Sequence, residues 1–178
     1  MATNKVYVNP GAITAFLAST ATIAPTGATS ILWTPQNTAT GHGRISAVWD
    51  RGSGAHPLRY TWRMRTQWNA TANNGDELRL YIVQADAAAD PTQTDGGITF
   101  GDADTTNENP LLYNALYLGC IMSNGASHPE STSGLVYLSG RYVGVAAWNG
   151  AGSQALVNTA NDHMFTLTEL PDEVEAAS

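Results

Sequence analysis

PLRYTWRMRTQW, residues 57–68, alternates along its whole length. Its apolar side chains Leu58, Tyr60, Trp62, Met64 and Trp68 take the even positions, and Arg59, Arg63 and Arg65 lie between them. A period of two marks a strand with one face in a core and the other turned outward. The same period recurs over Glu77–Gln84, where Leu78, Leu80 and Ile82 point one way and Arg79, Tyr81 and Val83 the other. GRISAVWD (43–50) predicts a strand with Ile45, Ala47 and Trp49 on one face, and SILWTP (30–35) a short one ended by Pro35. LLYNALYLGCIM (111–122) and GLVYLSGRYVGVAAWN (134–149) are rich in Tyr, Val and Leu and predict further strands. Gly140 and Gly144 in the second imply a bend, a bulge or a split into two strands. HMFTLTEL (163–170) alternates again.

Turn clusters separate these runs. RGSGAHP (51–57), NATANNGD (69–76), SNGASHPESTSG (123–134) and NGAGSQ (149–154) are dense in Gly, Asn, Ser and Pro. No long segment carries the 3.6-residue stripe of an amphipathic helix. AITAFLASTATIA (12–24) comes nearest, and its threonines and the flanking Pro10 and Pro25 limit it to a short helical turn. Seven or eight short strands joined by polar loops predict an all-β fold, an antiparallel β-sandwich of jelly-roll type, over residues 30–170. Residues 1–29, rich in Ala and Thr and nearly free of charge, read as an extended N-terminal arm lying on a neighbour. Residues 171–178, with Asp172, Glu173 and Glu175, read as an exposed acidic tail.

Composition narrows the function classes. The 178 residues are 43% hydrophobic, enough to bury a sizeable core, and hold no run of about 18 apolar residues that would span a membrane. The start of the chain is a poor signal peptide, because Pro10, Gly11 and several Thr and Ser cut its apolar stretch. The net charge of −7 argues against nonspecific nucleic-acid binding, which relies on neutralising phosphates with Lys and Arg. Seven basic and three acidic residues fall in 1–80, whereas 81–178 hold Arg141 against twelve acidic residues. The two halves are therefore suited to pair within a fold or between copies. The lone Cys120, in LYLGCIM, reads as a small buried hydrophobe and rules out an intrachain disulfide.

No segment carries a recognisable catalytic or cofactor signature. The sequence has no Gly-x-Ser-x-Gly elbow, no phosphate-binding loop and no dinucleotide fingerprint. His42, His56, His128 and His163 form no ligating pair and suit surface or loop positions. The acidic segment 86–110 offers Asp102, Asp104 and Glu108 as calcium candidates, since hard cations take several oxygens from a flexible loop. Its spacing matches no EF-hand, and a solvated loop or a contact surface accounts for it as well. Five Trp and seven Tyr are many for this length; most fall on the apolar sides of strands and read as core. A row of exposed ones would instead suit sugar stacking.

GRYVGVAAWNGAGSQALVNTANDHMFTLTELPDEVE (140–175) resembles the ends of small virion proteins of tailed bacteriophages. In those, a strand with aromatic residues ends in an Asn-Gly type turn; a stretch containing Ala, Asn and His follows, then an alternating strand and an acidic Pro-Asp-Glu close. The uncharged Ala/Thr-rich start fits the same group. The resemblance implies a structural protein on the virion, of the capsid decoration or cement type or a tail-associated one, with no catalytic residue and no cofactor. It implies a position on the outer shell, commonly as a homotrimer, with the major capsid protein as partner and neither nucleic acid nor membrane. In that setting Arg59, Arg63, Arg65 and Arg79 are the interface candidates, on strands whose other face is buried. A carbohydrate-binding or host-attachment module is the alternative.

Overall fold

The computed structural model describes residues 11–54, 56–69, 72–85, 100–125, 129–152 and 154–170. They form eleven strands: β1 (Ile13–Leu17), β2 (Thr29–Leu32), β3 (His42–Ile45), β4 (Trp49–Asp50), β5 (Arg59–Thr66), β6 (Glu77–Ala85), β7 (Ala103–Thr105), β8 (Leu116–Met122), β9 (Glu130–Tyr137), β10 (Tyr142–Asn149) and β11 (Met164–Glu169). One helix, α1 (Asn109–Asn114), precedes β8. The strands make two sheets, ordered β2-β1-β11-β5-β9 and β7-β3-β10-β6-β8, with β4 also paired to β10.

Within these sheets β1 pairs with β11, β3 with β10, β5 with β9 and β6 with β8, all antiparallel. The first half of the chain thus runs back along the second as one long ribbon. Successive pairs alternate between the sheets, which is the jelly-roll winding. The alternation of PLRYTWRMRTQW places Tyr60, Trp62 and Met64 in the space between the sheets. There they meet Phe16, Leu78, Leu80, Ile82, Val143, Val145, Phe165 and Leu167. Trp62 stacks on Phe165, with ring centroids 5.9 Å apart and planes at 8°, and Phe16 meets Phe165 edge-on at 6.1 Å.

A second, smaller core lies outside the β10 sheet. The segment joining β7 to β8 folds over it, and Ile45, Tyr81, Val83, Leu111, Ala146 and Trp148 pack together with Phe100 and Ala115 against them. Gly144 of β10 makes this possible: a Cβ there would stand 2.5 Å from the Phe100 ring. With apolar material on both sides, β10 is buried over nearly its whole length.

Several expectations change at this level. Residues 13–17 are not an arm or a helical turn but strand β1, held between β2 and β11 with Phe16 in the core. Long-range pairing with β11 outweighs the weak helical tendency of an Ala/Thr stretch. The boundary at residue 29 therefore falls inside the sandwich, and residues 1–10 lie outside the described set. The sheets are antiparallel except for β1 and β2, which run parallel. The single strand expected over 43–50 is two, because Ala47 leaves the β10 ladder and donates its N–H to the Leu32 carbonyl at 2.8 Å. The strand expected over 111–122 begins as helix α1, with Pro110 in its first turn, where a missing N–H costs nothing. The split expected around Gly140 is present between β9 and β10. The tail 171–178 lies outside the described residues.

Candidate contact surface

The arginines of β5 reach one surface. Arg59, Thr61, Arg63 and Arg65 share the outer face of the β5 sheet, opposite the buried Tyr60, Trp62 and Met64. Arg63 is exposed, and Arg59 and Arg65 are half-buried. Arg65 donates from Nη2 to Asp162, 3.3 Å away on the turn before β11. The Arg59 carbonyl accepts the Leu170 N–H at 2.9 Å, so the end of β11 is tied to the start of β5.

Register adds the neighbours. On β9, Tyr137 lies opposite Arg59, Leu135 opposite Thr61, and Ser133 opposite Arg63. Leu135 and Tyr137 are 52% and 61% exposed, while Val136 between them faces the core. The same face therefore carries arginine, leucine and tyrosine side by side. Around the corner, β8 is the edge strand of the other sheet, and it exposes Leu116, Tyr117 and Met122. A bulge at Leu80/Tyr81 inserts one extra residue into β8 and brings Tyr117 to 5.5 Å from Tyr81. Helix α1 adds Leu112 and Tyr113. Among the described residues, seven of the nine large exposed apolar ones lie on α1, β8 and β9. The clue in the sequence is that Leu116-Tyr117-Leu118 and Leu135-Val136-Tyr137 are apolar at consecutive positions, on both faces of their strands. Such a strand is either central or an edge whose second face meets something else.

Arg79 does not join this surface. It lies on β6, in the opposite sheet, where Nε donates to Glu77 at 2.6 Å and Nη1 donates to Glu108 at 2.5 Å. The Tyr81 hydroxyl donates to the other Glu108 oxygen at 2.7 Å, which fastens the segment before α1 to the sheet. Burial and the neighbouring Glu108 carboxylate both push the Tyr81 phenol up.

The three calcium candidates also serve as fasteners. Asp102, at φ 59°, receives Arg44 Nε at 3.0 Å and Nη2 at 2.9 Å, the Thr34 N–H at 2.7 Å and the Thr34 hydroxyl. Burial pushes its carboxyl up, and these hydrogen bonds outweigh burial and hold it below the usual carboxylate range. Asp104 stands 3.2 Å from His42 Nδ1, and Glu108 is held by Arg79 and Tyr81. Each of the three is engaged by its own partner, and among the described residues no group of three or more His, Cys, Asp or Glu comes together to hold a metal ion. Asp86, Asp90 and Asp95 lie outside the described residues, as does His128.

The remaining singled-out side chains divide by depth. Trp33, Trp62, Trp68 and Trp148 are buried and Trp49 is half-buried, as expected of core aromatics. Tyr113, Tyr117 and Tyr137 are exposed. His163 is fully buried rather than at the surface, with Nε2 2.8 Å from the Val157 carbonyl and Nδ1 2.9 Å from the Thr66 hydroxyl. Cys120 is half-buried at the edge strand instead of in the core. No described helix is long and apolar enough to cross a membrane. Compared with known proteins, the chain matches no family model and no curated protein.

Proposed function

We propose that this chain is a structural protein of a tailed-bacteriophage particle, a capsid decoration or cement protein that binds the outer shell by contact and not by chemistry. The observation that carries the reading is the outer face of β5 and β9, where Arg59 and Arg63 flank Leu135 and Tyr137. Arginine and tyrosine are enriched where proteins meet, and exposed leucine beside them adds apolar area. Isolated surface charges contribute about 0–1 kcal/mol each, so the apolar area supplies affinity and the arginines supply register and partner choice. The proposed partner is the major capsid protein, and the proposed working form is a homotrimer; a tail-associated position is the other place in the particle that this surface suits. A stable seat requires more than about 1,000 Å² of buried surface.

The test is co-sedimentation with shells assembled without the protein. The expected result is saturable binding, weakened at least tenfold by combining Arg63→Ala with Tyr137→Ala, while both proteins unfold at the same temperature. A chain that stays monomeric and remains in the supernatant at micromolar concentration overturns the reading. The exposed Tyr113, Tyr117 and Tyr137 favour a second reading, a carbohydrate-binding module for host attachment. A glycan-array signal abolished by Tyr117→Ala, with no binding to shells, selects it.

A further inference from the structure

A cleft of about 400 Å³ opens between the turn after β4 and the turn joining β9 to β10. Its lining includes Arg51, Ser53, His56, Leu58, Ser139 and Arg141. Arg51 is only 8% exposed. Its guanidinium donates from Nη1 to the carbonyls of Leu138 at 3.1 Å and Gly140 at 2.8 Å. From Nη2 it donates to the Pro57 carbonyl at 2.6 Å and the Tyr60 hydroxyl at 3.1 Å. Nε is buried and has no partner among the described residues. Every one of these acceptors is neutral. Glu169 reaches this group only indirectly: it accepts the Tyr60 hydroxyl at 3.5 Å and the Ala12 N–H at 3.3 Å.

A buried cation held by neutral groups alone is costly, and an anion brought beside it recovers that cost. Two further basic residues stand at the same cleft. Arg141 holds Asp50 with Nε and Nη2 at 2.8 Å each, which leaves Nη1 without a hydrogen bond among the described residues. His56 uses Nε2 toward the Gly52 carbonyl at 3.2 Å and leaves Nδ1 uncommitted among the described residues. The Ser53 and Ser139 hydroxyls are further donors. Asp50 pairs with Arg141, and among the described residues no carboxylate accepts from Arg51, so the described lining carries a positive balance in a chain of net charge −7.

We propose that this cleft binds an oxyanion, a carboxylate or phosphate group borne by a small molecule. The group takes hydrogen bonds from Arg141 Nη1, His56 and the serine hydroxyls and lies against the Arg51 charge. Leu58 provides an apolar wall for whatever carries it. The volume exceeds that of a bare ion and falls in the range of small-molecule sites.

The test titrates inorganic phosphate and citrate into the full chain, with sodium chloride at matched ionic strength as the control, and follows backbone amide shifts. The expected result is saturable binding by one or both, with shifts confined to residues 50–58 and 138–141. Because Arg51 also fastens three loop carbonyls, its replacement endangers folding, and the exposed neighbours serve instead. Arg141→Gln should weaken binding about tenfold, the worth of one charged hydrogen bond. Asp50→Asn should tighten it severalfold by removing the competing carboxylate. Binding equal in chloride, shifts centred on the Arg63 face, or affinities unmoved by both substitutions overturn the proposal.

Discussion

At the residue scale, two side chains show how closely the core is specified. Gly134 of β9 lies opposite Trp62, and a Cβ there would fall 2.8 Å from the indole Nε1. The absence of a side chain is what lets Trp62 lie flat on Phe165. Gly134→Val is expected to cost about 1–3 kcal/mol by overpacking. For a domain of this size that lowers the melting temperature by several degrees, at about 2–4 °C per kcal/mol, read by calorimetry. His163 makes the second case. Burial pushes its imidazole below the ordinary value, although the Val157 carbonyl favours the charged form. The folded state therefore binds its proton less readily than the unfolded chain does. Stability is expected to be full above about pH 6.5 and to fall as pH drops below it, as the unfolded state takes up the proton first. His163→Gln, with its amide placed to reach both partners, should flatten that slope in urea titrations across pH 5–7. A slope unchanged by the substitution rules this histidine out as its source.

At the element scale, the segment from Phe100 to Ala115 is the part most dependent on named contacts. Phe100 over Gly144, Asp102 with Arg44 and Thr34, Glu108 with Arg79 and Tyr81, and Leu111 in the smaller core hold it to the sheet. Asp102→Ala leaves Arg44 without its carboxylate and is expected to cost about 1–3 kcal/mol. Its effect should be local: amides of β7 and α1 lose hydrogen-exchange protection, and those of β5 and β11 keep theirs. Uniform loss over both sheets would contradict the fastening role. This segment was also the least legible in the sequence. Arg59, Arg63 and Arg65 could be placed on an outer face because a strand of known period lay under them. Asp102 and Glu108 could not, because their partners Arg44 and Arg79 lie 58 and 29 residues away. Carboxylates in a loop look alike whether they hold a cation or an arginine. Strand β1 was missed for a related reason: ITAFL is too short for periodicity to speak, and its pairing with β11 spans nearly the whole chain.

At the scale of the whole molecule, charge and edge are distributed unequally. The acidic second half meets the basic first half in the pairs Arg44–Asp102, Arg65–Asp162 and Arg79–Glu108, so part of the imbalance is neutralised inside the fold. The Asp102 carboxyl sits below its ordinary value, and its contribution is present above about pH 4 and lost as pH falls through its folded value. Acid unfolding is therefore expected in two stages, a shallow loss below about pH 6.5 from His163 and a steeper one below about pH 4 from the carboxylates. Circular dichroism at fixed urea across pH 2–8 measures it; a single transition near pH 4 would remove the histidine stage.

The two ends of each sheet differ in another way. On one side the outermost strands are β2, of four residues, and β7, of three, and Thr34 and Arg44 stitch the sheets together there through Asp102. On the other side the outermost strands are β8, of seven residues, and β9, of eight, both bearing bare apolar side chains. Fibre growth by strand addition needs a donor rim and an acceptor rim on every copy. Among the described residues a long rim lies on one flank only, so strand addition between two copies there would cap both rims and would not propagate into a fibre, whatever other contacts hold the proposed trimer.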